Sequence, residues 1–259
     1  MDIAYTIAGF SVGAIVGLTG VGGGSLMTPL LVLLFGIHPS VAVGTDLLYA
    51  AITKAGGTLA HGLKGTVDWS ITRRLAYGSI PAAALTLLVL GQVAPGGIGG
   101  ATGLIKVALG VALLLTAVAI IFRKQIQDFA LRHSEGRENP RRTATLTVVT
   151  GAVLGVLVSI SSVGAGALGV SALFFLDPRL PTLRIVGGDI AHAVPLTLVA
   201  GIGHWMLGSV DWSLLGSLLI GSLPGIWLGS HISTRVPDRV LRPILAGMLV
   251  LVGSKLIAA

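Results

Sequence analysis

The sequence predicts an all-α fold: a polytopic transmembrane helical bundle made of two inverted-topology repeats, each with a broken or re-entrant helix pair. Three observations predict it, namely the composition, the spacing of long apolar stretches and an internal repeat with alternating loop charge. Of the 259 residues, 53% are hydrophobic and only 10% are charged, whereas about 25% are charged in a typical soluble domain. Because so few charged residues cannot cover a surface that faces water, we expect the bilayer to surround the chain.

The apolar stretches define the elements in order. A helix needs about 20 apolar residues to cross the bilayer core. Full-length spans are predicted at roughly 39–61, 69–90, 103–122, 143–160, 182–206, 211–232 and 240–258. Two broken pairs are also predicted, one formed by 3–20 and 23–36 and the other by 143–160 and 164–177. These pairs are expected to meet inside the membrane, and the sequence leaves open whether they re-enter or span it fully.

An internal repeat divides the chain. A shift of 142 places Gly9 and Gly13 on Gly151 and Gly155, and a shift of 143 places Asp46 on Asp189. The same shift of 143 aligns residues 65–70 with 208–213 and His61 with His204. The predicted units are a first transmembrane repeat at 1–122, a basic cytoplasmic linker at 123–142 and a second, inverted repeat at 143–259.

The loop charges predict that the repeats are inverted. Loop 62–74 carries Lys64, Arg73 and Arg74, whereas its counterpart 205–217 carries no Lys or Arg; loop 91–102 is bare, whereas its counterpart 233–242 carries three Arg. Positively charged loops stay in the cytoplasm. Equivalent loops must therefore lie on opposite sides, with the linker inside and both termini outside.

The two breaks between the paired helices are the first candidate binding site. Helix N-termini expose unpaired N–H groups and a partial positive charge, and glycine lets an anion approach the backbone. The expected anion-binding residues are Gly22, Gly23, Gly24 and Ser25 in the first break, and Ser161, Ser162, Gly164 and Gly166 in the second. The alternative is close helix packing through small residues.

Charged residues inside apolar spans are the second group of candidates. Asp46 and Asp189 occupy equivalent positions and could carry a coupling proton, because buried charges tend to be functional; the alternative is a structural role in helix capping or charge pairing. His192 lies three residues after Asp189 on the same helix face and could relay that proton. Lys54 could attract an anionic substrate or could extend its ammonium group toward the membrane surface.

Composition excludes other classes of site. The chain has no cysteine, which excludes disulfides and thiolate metal ligands, and we expect neither a metal nor a cofactor. No Ser/His/Asp set, HExxH motif or paired carboxylates are visible, so we expect no enzyme. The net charge of +7 comes from loops between apolar stretches, which favours positive-inside topology over nucleic-acid binding.

Three segments, at 13–24, 42–46 and 61–69, resemble the TauE/SafE family of sulfite exporters. The resemblance covers nearly the whole chain, and it implies a bacterial inner-membrane transporter for sulfite, organosulfonates or related anions. The second copy departs from the first, because Ser161-Ser162 stand where the first half has Thr19-Gly20. We expect this pair to supply an extra hydroxyl donor for a sulfur oxyanion.

Together these features predict a secondary transporter that moves a small sulfur-containing anion, sulfite or an organosulfonate, across the bacterial inner membrane by alternating access and with proton coupling. A passive anion channel and a membrane-embedded partner subunit are the alternatives. The expected partners are the small anion, protons and the lipid bilayer. A homodimer is also compatible with the sequence, since the apolar faces need not all contact lipid.

Overall fold

The computed structural model describes residues 2–19, 24–93, 102–132, 140–232 and 238–258. Every regular element in these ranges is an α-helix. The helices are α1 (Ile3–Thr19), α2 (Gly24–Leu33), α3 (Pro39–Leu63), α4 (Trp69–Val93), α5 (Thr102–Ile121), α6 (Arg123–Arg132), α7 (Pro140–Ser161), α8 (Ala167–Leu176), α9 (Thr182–Met206), α10 (Trp212–Ile232) and α11 (Asp238–Ala258). The all-α helical bundle expected from the sequence is confirmed.

Each predicted full-length span coincides with one long helix: α3, α4, α5, α7, α9, α10 or α11. Within the described part of the chain, five stretches are long and apolar enough to cross a membrane, at Trp69–Gln92, Thr102–Ile121, Pro140–Ser161, Thr182–Met206 and Trp212–Gly229. The 25-residue α3 is as long as α9, but Asp46 and Lys54 lower its mean hydropathy. The chain is thus a multi-pass membrane protein.

Short aspartate caps fix where two of these helices begin. The Asp68 carboxylate accepts hydrogen bonds from the amides of Ser70 and Ile71 at 3.0 and 3.1 Å. Asp211, its counterpart in the second half, accepts one from the amide of Leu214 at 2.9 Å. A carboxylate that accepts from the first free amides stabilises a helix start, so α4 and α10 begin in the same way.

The second break is an irregular connection between α7 and α8. It contains three residues in the left-handed region, Ser162 at φ 57°, Gly164 at φ 125° and Gly166 at φ 131°. The two glycines adopt these angles without the clash that a Cβ atom would cause. The helix α8 that follows has ten residues, which at about 1.5 Å per residue cover roughly half of the bilayer core.

The helix α6 was not predicted, since the expectation for the basic linker concerned its charge and not its secondary structure. Its start and middle pack against the end of α8. The rings of Phe129 and Phe175 stack with centroids 6.3 Å apart, and the Arg123 guanidinium lies 5.0 Å above the Phe174 ring. The linker therefore holds a short helix against the second broken pair.

Glycines allow the closest helix crossings. The helix α1 packs against α10, where a Cβ on Gly9 or Gly13 would overlap the backbone of Leu218 or Ser222. The helix α7 packs against α4 through the equivalent positions, Gly151 against Leu75 and Gly155 against Ser79. Because the residue numbers rise together along both members of each pair, α1 runs parallel to α10 and α7 runs parallel to α4.

The equivalent helices α3 and α9 contact each other in the opposite sense. The start of α3 meets the end of α9, since a Cβ on Gly44 would lie 3.0 Å from the His204 Cβ atom. The start of α9 meets the end of α3, where Gly187 lies against the carbonyl of Thr66. The helices α3 and α9 therefore run antiparallel, and the buried residues Asp46, Lys54 and Asp189 lie on this pair of helices.

Candidate functional site

Three ionisable side chains are buried where α3, α9 and the second break meet. The exposed fractions are 0% for Asp46, 1% for Asp189 and 7% for Lys54. Asp46 is the eighth residue of α3 and Asp189 the eighth of α9, and both helices continue without interruption past them. Neither aspartate therefore caps a helix start, so the capping alternative is wrong, whereas charge pairing stays a prediction.

Lys54 connects α3 of the first half with the break of the second half. Its Nζ atom donates a hydrogen bond to the carbonyl of Ala165 at 2.9 Å, and its charge interacts with both Asp189 and Asp46. The ammonium group is thus held inside the protein and does not extend toward the membrane surface. At the equivalent position, the uncharged Thr197 bonds back to Ala193 of its own helix at 2.8 Å.

Asp46 is held by a neutral donor. The Thr28 hydroxyl of α2 donates a hydrogen bond to its Oδ2 atom, while its Oδ1 atom has no partner. Ser162 of the second break lies close enough to interact with this carboxylate, although its own hydroxyl makes no hydrogen bond. Asp46 therefore lies between the helix that follows the first break and the backbone of the second break.

Asp189 has no such donor. Neither of its carboxylate oxygens has a hydrogen-bond partner, and the nearest backbone amide that acts on it is that of Gly166. It lies directly opposite Gly169 of α8, where a Cβ atom would come within 1.9 Å of the Oδ1 atom. Only glycine at position 169 lets the carboxylate approach α8 this closely.

The two serines of the second break have different roles. Ser161 donates to the carbonyl of Leu157 at 2.7 Å and accepts from the amide of Val163 at 3.2 Å, so its hydroxyl shapes the break. The Ser162 hydroxyl is buried and without a partner. The start of α8 at Gly166 has no side-chain cap, but the Gly169 amide in its first turn already donates to the Gly164 carbonyl at 3.2 Å.

His192 is placed next to the cluster, but its hydrogen bond goes elsewhere. Its Nε2 atom lies 2.8 Å from the Ser79 hydroxyl of α4, and its Nδ1 atom has no partner. Among the hydrogen bonds of the described residues, none joins His192 to Asp189. The proton-relay role of His192 therefore stays a prediction.

Comparison with known proteins gives the family. The description of the family whose model matches is sulfite exporter TauE/SafE, and the match extends over residues 5–256. The chain belongs to the TauE/SafE family. This assignment confirms the resemblance seen in the sequence.

Similar proteins carry names that agree with this family. The chain is 42% identical to the probable membrane transporter protein YjnA of Bacillus subtilis over 258 residues, which cover 99% of this chain and 100% of that protein. It is 28% identical to YdhB of the same organism, covering 93% and 97% of the two chains. It is 24% identical to MJ0441 of Methanocaldococcus jannaschii, covering 95% and 92%.

Both relatives, YdhB and MJ0441, are also named probable membrane transporter proteins. No solved structure matches the chain significantly. The TauE/SafE chain is therefore a membrane transporter of the sulfite exporter type, and the family and its relatives are described as transporters and not as enzymes.

The structure of this TauE/SafE chain describes the candidate residues of the first break only in part. Gly22 and Gly23 lie outside the described residues. Gly24 begins α2, and the side chain of Ser25 is outside the description as well. The anion-binding role of the first break therefore stays a prediction.

Three residues that contact the charged side chains of the candidate site were not predicted from the sequence. Thr28 has no polar counterpart at the equivalent position, which is Val170, so the repeat gave no signal for it. The Ala165 carbonyl is a backbone group that no sequence pattern marks. A signal existed for Gly169, because a glycine inside a short helix is unfavourable by about 1 kcal/mol and so suggests a close approach.

Proposed function

We propose that this protein is a secondary transporter that moves a small sulfur-containing anion, sulfite or an organosulfonate, across the bacterial inner membrane by proton-coupled alternating access. The observation that carries the proposal is the hydrogen bond from Lys54 of the first half to Ala165 in the second break, beside two buried carboxylates. A cation that both halves hold is suited to bind an anion at their interface.

The second break supplies donors for such an anion. The N-terminus of α8 has no side-chain cap, and a helix N-terminus carries about half a positive charge. The buried Ser162 hydroxyl is without a partner and adds a donor that can rotate toward a sulfonate oxygen. Binding through backbone amides, one hydroxyl and one ammonium group is typical of sites for small oxyanions.

The helix directions support inverted repeats. The equivalent helices α3 and α9 run antiparallel, and α1 contacts α10 through the positions that correspond to those joining α7 and α4. Inverted repeats that meet at a midplane site are the usual basis of alternating access. With basic loops inside, the linker at 123–142 is cytoplasmic and both termini are outside.

Asp46 and Asp189 are the proposed coupling groups. Both are buried, and carboxylates at such depth tend to serve proton movement or ion binding. They lie on equivalent helices from the two halves, so an exchange of conformations between the halves would expose them to opposite sides in turn. His192 stands near enough to Asp189 along α9 to assist proton transfer.

Flux into proteoliposomes tests the proposal. We expect the purified protein to move radiolabelled sulfite, taurine or another short sulfonate, with sulfate and thiosulfate as comparison anions, and to respond to an imposed pH gradient. The control is liposomes that contain Asp46→Asn/Asp189→Asn protein at equal density. Absence of flux for every anion under any pH gradient would overturn the proposal, and flux that ignores pH and survives both substitutions would indicate a passive channel.

A further inference from the structure

We propose that anion binding and proton uptake at Asp189 are one coupled event, in which the anion replaces Asp189 as the counter-charge of Lys54. The inference rests on the proposed function and specifies how its coupling works. One proton joins the Asp189 carboxylate for each monovalent anion that binds. No covalent bond of the substrate changes, and transport of a monovalent anion becomes electroneutral.

The charge of the cluster requires a compensating proton. With every group ionised, Asp46, Asp189 and Lys54 together carry one net negative charge in a site from which water is nearly excluded. An added anion would meet two carboxylates and a single ammonium group, and repulsion between like charges is strong where the dielectric constant is low. The site therefore takes up an anion only when a proton neutralises one carboxylate.

Asp189 is the carboxylate that loses most electrostatic stabilisation when the anion binds to the Lys54 ammonium group. Neither of its oxygens has a hydrogen-bond partner, and the charge that acts on it is that of Lys54. Asp46 keeps the hydrogen bond from Thr28, which does not depend on Lys54. When the anion takes over the ammonium charge, Asp189 is left buried without a donor or counter-charge, and protonation removes that unpaired charge.

The surrounding elements offer no substitute for Lys54. The ionisable groups on the helices packed against α9 are Asp46, Tyr49, Lys54 and His61 on α3, Arg73, Arg74 and Tyr77 on α4, and Arg141 and Arg142 on α7, with none on α8; α9 itself carries Arg184, His192 and His204. Of these, Lys54 is the charge that acts on Asp189. Arg141, Arg142 and Arg184 lie in the first turns of their helices. Arg73 and Arg74 follow Thr72, whose hydroxyl donates to the Gly188 carbonyl at 3.1 Å.

The position of Lys54 fits an anion that bridges two sets of donors. Its Nζ atom already lies against the Ala165 carbonyl, next to Gly166 at the uncapped start of α8. An anion at this point would contact the ammonium group and the first amides of α8 together. The Gly166 amide and the Lys54 charge both act on Asp189, so an anion at this point would compete with the carboxylate for them.

Calorimetric titration counts the proton. Methanesulfonate is the probe because it stays ionised at all working pH values, and bis-Tris, imidazole and Tris are the buffers because they contain no sulfonate and differ in ionisation enthalpy. We expect uptake of about one proton per anion. The affinity should therefore fall about tenfold per pH unit in the range where Asp189 is ionised in the free protein and protonated in the complex. Asp189→Asn, in which the side chain is permanently neutral, is expected to bind methanesulfonate with uptake near zero and an affinity independent of pH.

Two further variants assign the proton. Asp128→Asn, on the exposed side of α6, is the matched control and is expected to take up the same proton as the unmodified protein. Binding by the unmodified protein without proton uptake overturns the inference and leaves the proposed function standing. Uptake that is lost in Asp46→Asn and retained in Asp189→Asn overturns the assignment to Asp189. Failure of both methanesulfonate and sulfite to bind overturns the proposed function itself.

Discussion

At the scale of single residues, Lys54 distinguishes the two halves. It interacts with both buried aspartates, whereas its counterpart Thr197 bonds within its own helix. A transporter with two identical half-sites would hold its substrate symmetrically about the interface. In the proposed site the positive charge comes from α3 and the backbone donors come from the second break, so the two halves would contribute different chemistry.

Removal of the Lys54 charge should weaken anion binding. We expect Lys54→Ala to lower the affinity for sulfite and sulfonates at least about tenfold, which corresponds to about 1.4 kcal/mol, because the ammonium group is the charge nearest to the proposed anion position. Lys54→Arg keeps the charge and serves as the control. The measurement is the ligand-induced rise in melting temperature, and an unchanged affinity in Lys54→Ala would exclude Lys54 from the site.

Gly169 tests the placement of Asp189. A Cβ at this position would lie 1.9 Å from the Asp189 Oδ1 atom, so Gly169→Ala must displace the carboxylate or α8. We expect loss of most anion flux in proteoliposomes while the protein still folds. Gly56→Ala on α3, where a Cβ would meet no atom within 4 Å, is the control and should transport normally. Equal flux in both variants would show that Asp189 does not need this position.

The charged residues of the site could be predicted from the sequence, and their partners could not. Asp46, Asp189 and Lys54 stand out because charges are rare and costly within apolar spans. Thr28 contributes because of the face that α2 turns toward α3, and Ala165 contributes a carbonyl because the break bends toward Lys54. Such contacts follow from the relative placement of helices, which local sequence does not determine.

At the scale of elements, small residues serve two purposes. In the second break, Gly164 and Gly166 adopt left-handed angles that end one helix and begin the next. Along α1, α4, α7 and α10, glycines let two backbones touch, as expected for helices in a membrane. The sequence offered anion binding and helix packing as alternatives for the glycines of the two breaks, and that choice stays a prediction; the glycines that pack these four helices lie outside the breaks.

Glycine crossings should be important for stability. A Cβ on Gly221 of α10 would lie 1.9 Å from the Thr6 carbonyl of α1, whereas one on Gly216 would meet no atom within 4 Å. We expect Gly221→Ala to lower the free energy of unfolding by about 1–3 kcal/mol through overpacking. Gly216→Ala should leave it unchanged or raise it, since alanine favours the helix. Thermal unfolding in detergent measures both, and equal melting temperatures would contradict the close contact of α1 and α10.

The helix α6 in the linker could not be predicted from the sequence. The basic residues of 123–142 indicated a cytoplasmic connection, but they obscured the apolar positions that form α6. Phe129 stacks on Phe175, and Arg123 covers Phe174, so α6 is stabilised by contacts with α8 that are distant in sequence. A helix of ten residues is marginal alone and depends on such packing.

At the scale of the whole molecule, the halves interlock. The helices α1 and α10 come from different halves, as do α4 and α7, and both pairs are joined through equivalent residues. The repeat and the basic loops predicted two related units of opposite topology. They did not predict which helices of one half would pack against which helices of the other. Apolar faces in a membrane carry little information about their partners.

Side-specific labelling can show whether the two halves are oppositely oriented around one shared site, as proposed. Leu63 ends α3 and Met206 ends α9 at equivalent positions, with 82% and 80% of their surfaces exposed. The chain has no native cysteine, so Leu63→Cys and Met206→Cys each introduce a single thiol. A membrane-impermeant maleimide added to intact spheroplasts should label Met206→Cys and spare Leu63→Cys, and inside-out vesicles should give the reverse. Labelling of both thiols from the same side would contradict the account.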